Sequence, residues 1–311
     1  MTTLADLAEL VRAPAALSVP GDVVAGAAAA GALGPRTPAL AGASVLLYWA
    51  GMAANDWADR GLDAVERPER PIPSGRITPA AAVGLAAGLT AAGVGLAAAV
   101  GGRRAAALAV PLAATIWGYD LLAKNTAAGP AVMAACRGLD VLLGASGGRV
   151  TRALPAAVTV AAHTWTVTAL SRREVSGADA ALPMRTLAGT ALVAASAALP
   201  HARRAAASAA DQGGANDEVG GRASRTRSAG VAAVLPAVLA GWYAARYGAA
   251  QAEVIRDPSA GRVRAAVGAG ITGLPALQGA LTARGGAGLL GLAVAAAAPL
   301  GRRLARKVSP T

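Results

Sequence analysis

The densest chemistry in this 311-residue chain lies between Asn55 and Asp63. The stretch Asn55-Asp56-Trp57-Ala58-Asp59-Arg60-Gly61-Leu62-Asp63 follows an apolar run that ends Tyr48-Trp49-Ala50-Gly51-Met52-Ala53-Ala54. If a helix continues through it, Asn55, Asp59 and Asp63 fall at i, i+4 and i+8, and Asp56 joins the same broad face. Three carboxylates within two turns repel one another, and a cation relieves that repulsion. Mg²⁺ takes oxygen ligands, typically one or two carboxylates with substrate phosphates and water. Asn55, Asp56, Asp59 and Asp63 are therefore candidate metal ligands, with Asn55 supplying a neutral oxygen. Carboxylates at a membrane helix end mark a functional site by default. The plainer alternative is a solvated acidic loop that ends the helix.

A basic loop follows, Glu66-Arg67-Pro68-Glu69-Arg70-Pro71-Ile72-Pro73-Ser74-Gly75-Arg76-Ile77-Thr78. Its prolines and glycine forbid a continuous helix. Arg67, Arg70 and Arg76 in a stiff loop beside carboxylates suit a diphosphate, because the guanidinium fork matches phosphate oxygens bidentately. The same arginines also serve as a positive-inside anchor. Further along, Tyr119-Asp120-Leu121-Leu122-Ala123-Lys124 ends one apolar run, and Cys136-Arg137-Gly138-Leu139-Asp140 sits within the next. Asp120 with Lys124, and Arg137 with Asp140, are spaced as intrahelical ion pairs. Lys124 and Arg137 are equally candidates to meet phosphate. After the sixth apolar run come Arg172, Glu174 and Asp179, a cation and two carboxylates; Glu174 and Asp179 together, or one of them alone, are candidates for a second Mg²⁺. His163 reads as a helix-packing residue rather than a base.

These groups need a scaffold, and the composition says which kind. Hydrophobic residues make up 55% and charged residues 15% of the chain, with 39 Gly and no Phe. Mean hydropathy is +0.47. Soluble domains carry about 25% charged residues, so an ordinary water-soluble globule and a disordered chain are both excluded. Small residues suit helices that pack closely within a bilayer. One Cys and two His exclude a disulfide framework and a Cys-based zinc site. The net charge of +12 points to anionic lipid or a phosphorylated substrate; no nucleic-acid-binding motif accompanies it, so no nucleic-acid partner is expected.

Apolar stretches at about 15–34, 38–57, 79–101, 104–123, 127–146, 152–170, 183–200, 228–248, 262–283 and 285–301 predict nine or ten helices. No period-two alternation supports strands. The expectation is an all-α, polytopic transmembrane bundle over a single domain, 1–311, with a flexible polar loop at 201–227. No signal peptide is expected. With the N-terminus in the cytoplasm, most loop Lys and Arg fall inside, which puts the acidic end at the cytoplasmic face of the plasma membrane.

The run from Asn55 to Thr78 resembles the first signature of the UbiA superfamily of intramembrane prenyltransferases: N-D-x-x-D-x-x-x-D followed by an R-P-x-x-P-S-G-like loop. Tyr119 to Pro130 is similar to the family's Y-x-x-x-K-x-x-x-x-P connection, with Lys124 one place late. The family's second motif, D-x-x-x-D, is replaced by Arg172, Glu174 and Asp179, as in the divergent EboC-like subgroup. The resemblance implies a helical bundle whose central cavity opens to the cytoplasm. It also implies Mg²⁺-dependent transfer of an isoprenyl group from an allylic diphosphate to an unknown acceptor, small or lipid. In that scheme Asp56, Asp59 and Lys124 are catalytic, and Asn55, Arg67, Arg70, Arg76, Tyr119, Arg137 and Arg172 bind substrate. Tyr119 or Trp57 offers cation–π contact to a developing allyl cation. Two other readings stay open. A different membrane transferase on phosphorylated substrates, such as a CDP-alcohol phosphotransferase, expects a D-G-x-x-A-R motif that is missing here. A transporter expects interrupted mid-membrane helices and an inverted repeat.

Overall fold

The computed structural model describes residues 2–13, 18–199 and 222–297, with side chains of 222–233 excepted. All regular elements among them are helical. In chain order they are α1 (Leu4–Leu10), α2 (Pro20–Ala30), α3 (Thr37–Glu66), α4 (Pro79–Gly118), α5 (Gly129–Gly144), α6 (Val150–Ser171), α7 (Ala181–Ala198), α8 (Arg222–Arg256) and α9 (Ala260–Arg284), followed by α10 (Gly288–Ala297). Most of the expected polar loop at 201–227 lies outside the described residues; its last residues begin α8.

The two apolar stretches at 79–101 and 104–123 appear as two arms of α4, broken at Gly102 (φ 66°, ψ −159°). That left-handed φ suits glycine. The arms fold back on one another: the Trp117 indole N–H on the second arm donates to Thr90 Oγ1 on the first at 3.0 Å. In a straight helix these residues would stand about 40 Å apart. Each arm is thus one crossing. The hairpin's most apolar stretch is only 17% buried inside the protein, so its surface needs lipid around it. Three described elements are long and apolar enough to cross a membrane: Thr37–Glu66, Pro79–Ala123 and Val150–Ser171. By contrast α2 has 11 residues, about 16 Å, half of a hydrocarbon core. Pro20 starts it and Gly31, at φ 69°, stops it.

The helices close a circuit. α3 packs on α4, α4 on α5, α5 on α6, α6 on α7, α7 on α8 and α8 on α9, and α9 returns to α2. The Gln278 amide on α9 donates to Asp22 Oδ1 on α2 at 2.6 Å and locks that closure. One apolar cluster joins α2 to α5 through Val23, Leu47, Leu112 and Leu143. A second joins α6 to α9 through Val160, Val193, Tyr243 and Leu277. Small residues set the spacing. A Cβ at Gly26 of α2 would meet the Val141 carbonyl of α5, and one at Gly144 of α5 would meet the Val23 carbonyl of α2. Backbone lies on backbone there, as in close-packed membrane helices.

Gly144→Val should therefore lower the thermal midpoint in detergent by the equivalent of about 1–3 kcal/mol. Gly84→Ala, where an added Cβ meets nothing within 4 Å, should leave it unchanged or raise it.

Candidate active site

α3 runs unbroken for 30 residues, about 45 Å, which exceeds a hydrocarbon core of about 30 Å. Its last turns emerge from the apolar bundle and carry Asn55, Asp56, Asp59 and Asp63 in helical register, as the spacing predicts. Their side chains divide into two groups. Asp56 and Asp63, two turns apart, face the N-terminal segment and the basic loop. Arg12 contacts Asp56 Oδ1 at 2.6 Å, and Arg70 Nη1 bridges Asp63 at 2.6 Å and Asp56 at 3.5 Å. Asn55 and Asp59, one turn apart, face the end of α4. Asn55 Nδ2 donates to Asp120 Oδ1 at 3.1 Å, and Lys124 Nζ contacts Asp59 Oδ1 at 2.6 Å.

The end of α4 explains how Lys124 reaches that position. Residues Tyr119–Ala123 form a π-turn, and the Lys124 amide donates to the Tyr119 carbonyl at 2.9 Å. The wider turn absorbs one extra residue, so the lysine that stands one place late in sequence comes round beside Asp59. Such π-turns recur at functional sites. The expected Asp120–Lys124 pair is replaced by these two contacts to α3. The expected Arg137–Asp140 pair is replaced as well. Arg137 Nε contacts Asp22 Oδ2 at 2.7 Å, and Asp140 accepts from the Ser44 hydroxyl. In each case a partner on another helix offers better geometry than the neighbour one turn away.

The other candidates are spread more widely. Arg76 donates to Asp6 and Glu9 of α1 and to the Glu69 carbonyl, each at 2.7 Å. It fastens α1 to the basic loop instead of facing the Asp cluster. Asp6, hydrogen-bonded by the Thr3 amide and hydroxyl and by Arg76, has its carboxyl held down at about 2. Arg67 is exposed at the end of α3. Arg172 donates to the Thr126 carbonyl and ties the end of α6 to the loop before α5. Trp57 carries the Arg60 guanidinium 4.9 Å from its ring centroid, which fills the face assigned to an allyl cation. Asp179 Oδ1 accepts from the Leu182 amide at 2.9 Å and caps α7. Glu174 instead lines the mouth of a cavity, where burial raises its carboxyl.

That cavity, ≈390 Å³, lies between α3, α5, α6 and α9. Met52, one turn before Asp56, and Tyr119, next to Asp120, are on its wall, so it opens beside the acidic end. Val167, Val267 and Leu274 make its sides largely apolar. His163 reaches it from α6, with Nδ1 held 2.8 Å from the Tyr243 hydroxyl.

Two participants escape the sequence reading. Arg12 has no site role in the sequence analysis, yet it holds Asp56 from a strained left-handed backbone (φ 45°). Asp22 is a lone carboxylate in an apolar stretch, which is itself the signal. In sum, Asp56, Asp59, Asp63 and Asp120 gather with Arg12, Arg70 and Lys124 next to the end of the cavity that Met52 and Tyr119 line. Among the described residues no three His, Cys, Asp or Glu side chains converge as a closed metal cage. Hard oxygens offered singly or in pairs fit Mg²⁺, whose remaining positions go to phosphate and water.

The UbiA prenyltransferase family profile matches residues 18–210. Among similar proteins are digeranylgeranylglyceryl phosphate synthases of Methanothrix thermoacetophila, 57% identical over 15% of this chain and 18% of that one, and of Methanopyrus kandleri, 42% identical over 24% and 28%. The synthase of Natronomonas pharaonis is 41% identical over 27% of this chain and 31% of its own. The matched stretches thus span less than one third of each relative. A solved structure from work on digeranylgeranylglyceryl phosphate synthase in membranes covers 90% of this chain and 97% of its own, with TM-score 0.64 and 15% identity, a likeness of fold. The chain belongs to the UbiA prenyltransferase family.

Proposed function

We propose that the protein transfers an isoprenyl group from an allylic diphosphate to a small or lipid acceptor, with Mg²⁺, inside the membrane. The observation that carries this reading is the paired acidic and basic cluster at the mouth of an apolar cavity. A diphosphate with a hydrocarbon tail asks for both. The positive-inside distribution of loop arginines supports a plasma-membrane protein with this mouth toward the cytoplasm. The EboC-like kinship rests on Glu174 and Asp179 standing where the second motif has D-x-x-x-D.

Each basic group at the mouth is held by a carboxylate and so is oriented before substrate arrives. Arg70 presents a guanidinium fork suited to two phosphate oxygens, and Lys124 a compact point charge. Arg67 stands free at the rim. Asp56 with Asp63, or Asn55 with Asp59, would hold Mg²⁺, with Glu174 and Asp179 as candidates for a second ion; the metal would supply Lewis-acid stabilisation of the leaving diphosphate. The C1–O bond of the donor breaks with its electron pair on the diphosphate. The acceptor forms the new bond to C1 and releases a proton. The apolar walls keep water from capturing the allylic carbon first. Ile271 lines the cavity and is also 56% exposed. The chamber therefore meets the lipid-facing side at α9, which supports entry of lipidic substrates from the bilayer.

The test is diphosphate release and product mass from purified protein in nanodiscs, given a panel of allylic diphosphates, Mg²⁺ and lipid extract. Release with transfer is expected; none with any donor contradicts the reading. In the same assay Asp56→Asn and Asp59→Asn should each lower kcat at least about 100-fold while the protein still inserts. Arg70→Lys, which keeps the charge but loses the fork, should raise KM for the diphosphate about tenfold.

A further inference from the structure

At the end of the bundle away from the acidic cluster, five arginines gather without a carboxylate. Arg36 precedes Asp56 by 20 residues along α3, about 30 Å, which is the thickness of a hydrocarbon core. It therefore belongs to the opposite membrane surface. Arg103 and Arg104 follow the break at Gly102, at the tip of the α4 hairpin. Arg149 and Arg152 flank the start of α6. All five are exposed, and none has an ion-pair partner among the described residues. The segments that carry them, 30–40, 98–108 and 143–153, contain no Asp or Glu. The acidic end answers each carboxylate with a cation, whereas these three segments supply no counter-charge of their own.

A second pocket, ≈290 Å³, opens among these arginines. Arg36 and Thr37 form one wall, Gly101 of α4 another, and Gly144 and Gly147 a third. The Arg149 amide donates to the Ala30 carbonyl at 3.4 Å, which sets the start of α6 beside the loop after α2. Ala32 of that loop is also on the wall. Arg103 stands two residues beyond Gly101, no more than about 7 Å along the chain. Thr37 Oγ1 accepts from the Gly34 amide at 3.1 Å, and its own hydrogen has no acceptor among the described residues.

The surroundings name the anion. The most apolar stretch of the α4 hairpin is only 17% buried inside the protein, so bilayer surrounds its arms and phospholipid headgroups lie level with its tip. A guanidinium fork matches phosphate oxygens bidentately, and basic pockets between membrane helices take phospholipid headgroups. Val110, on the second arm, is 54% exposed and offers an acyl chain an apolar track. Inorganic phosphate brings the same oxygens without the chains.

We propose that this pocket binds the headgroup of an anionic phospholipid, whose phosphate meets Arg36 in the wall and the arginines at the rim while its acyl chains lie along α4. A lipid held there ties together the α2–α3 loop, the tip of α4 and the start of α6. The site stands a membrane's thickness from the acidic cluster, and the inference does not depend on the transfer reaction.

The experiment is calorimetric titration of the full chain, in neutral detergent, with dioctanoyl phosphatidylglycerol, dioctanoyl phosphatidylcholine and inorganic phosphate. Saturable binding of phosphatidylglycerol is expected, with phosphatidylcholine at least tenfold weaker and no displacement of the lipid by excess phosphate. Arg36→Gln and Arg149→Gln should each weaken phosphatidylglycerol about fivefold. Arg185→Gln removes the same charge from an exposed position on α7, at the end of the bundle where α6 finishes, and should leave the affinity unchanged. Equal binding of the two lipids, displacement by phosphate, or losses in Arg36→Gln and Arg149→Gln no larger than in Arg185→Gln would each overturn the proposal. Should a variant fail to fold, a photoactivatable phosphatidylglycerol on the unaltered protein still decides. Adducts are expected within 32–37, 101–104 or 147–152, and adducts found only at the acidic end would contradict the assignment.

Discussion

Carboxylates at the end of a membrane helix are tolerable only when something positive meets them, and that constraint organises this protein. α3 delivers Asp56, Asp59 and Asp63 to the edge of the bilayer within two turns. Three other segments answer with Arg12, Arg70 and Lys124. The N-terminal helix, the proline-rich loop and the π-turn after α4 are each placed by the need to bring one cation to one carboxylate. A pair of this kind is poised to exchange: a divalent ion competes for the carboxylate, and a phosphate competes for the released base.

Below the mouth the same rule operates with different partners. Arg137 pairs with Asp22, and Ser44 donates to Asp140, between α2, α3 and α5, at a depth where an unmatched charge is expensive. Gln278 extends that network to α9. These contacts cross the gaps that glycine contacts such as Gly26 on Val141 make narrow. Tight backbone packing and polar cross-links are thus complementary, because neither helix propensity nor a hydrophobic drive between helices holds a bundle together in lipid. The cavity survives where larger side chains from α3, α5, α6 and α9 hold the helices apart.

Much of this is legible in the sequence, for identifiable reasons. Apolar length marks the helices, and the break between the stretches 79–101 and 104–123 falls where α4 turns. The register of Asn55, Asp59 and Asp63 survives because one continuous helix carries them. What is lost is whatever depends on another segment. Asp120 and Lys124 read as partners by spacing, yet each bonds to α3. Arg137 finds Asp22, more than a hundred residues earlier, ahead of Asp140. Lys124 reads as displaced because a spacing rule assumes an α-helix where the chain forms a π-turn. The helix α1, seven residues long, is too short for periodicity to reveal, and with it the sequence conceals Arg12.

The central claim is that the acidic cluster takes up an allylic diphosphate through a divalent cation. Equilibrium binding of a non-hydrolysable geranylgeranyl thiodiphosphate to the full-length protein, titrated with and without Mg²⁺, reads this directly. The account predicts saturable binding that requires Mg²⁺, is reversed by EDTA and disappears in the double variant Asp56→Asn, Asp59→Asn. Binding of equal strength in EDTA, or undiminished in that double variant, would contradict it.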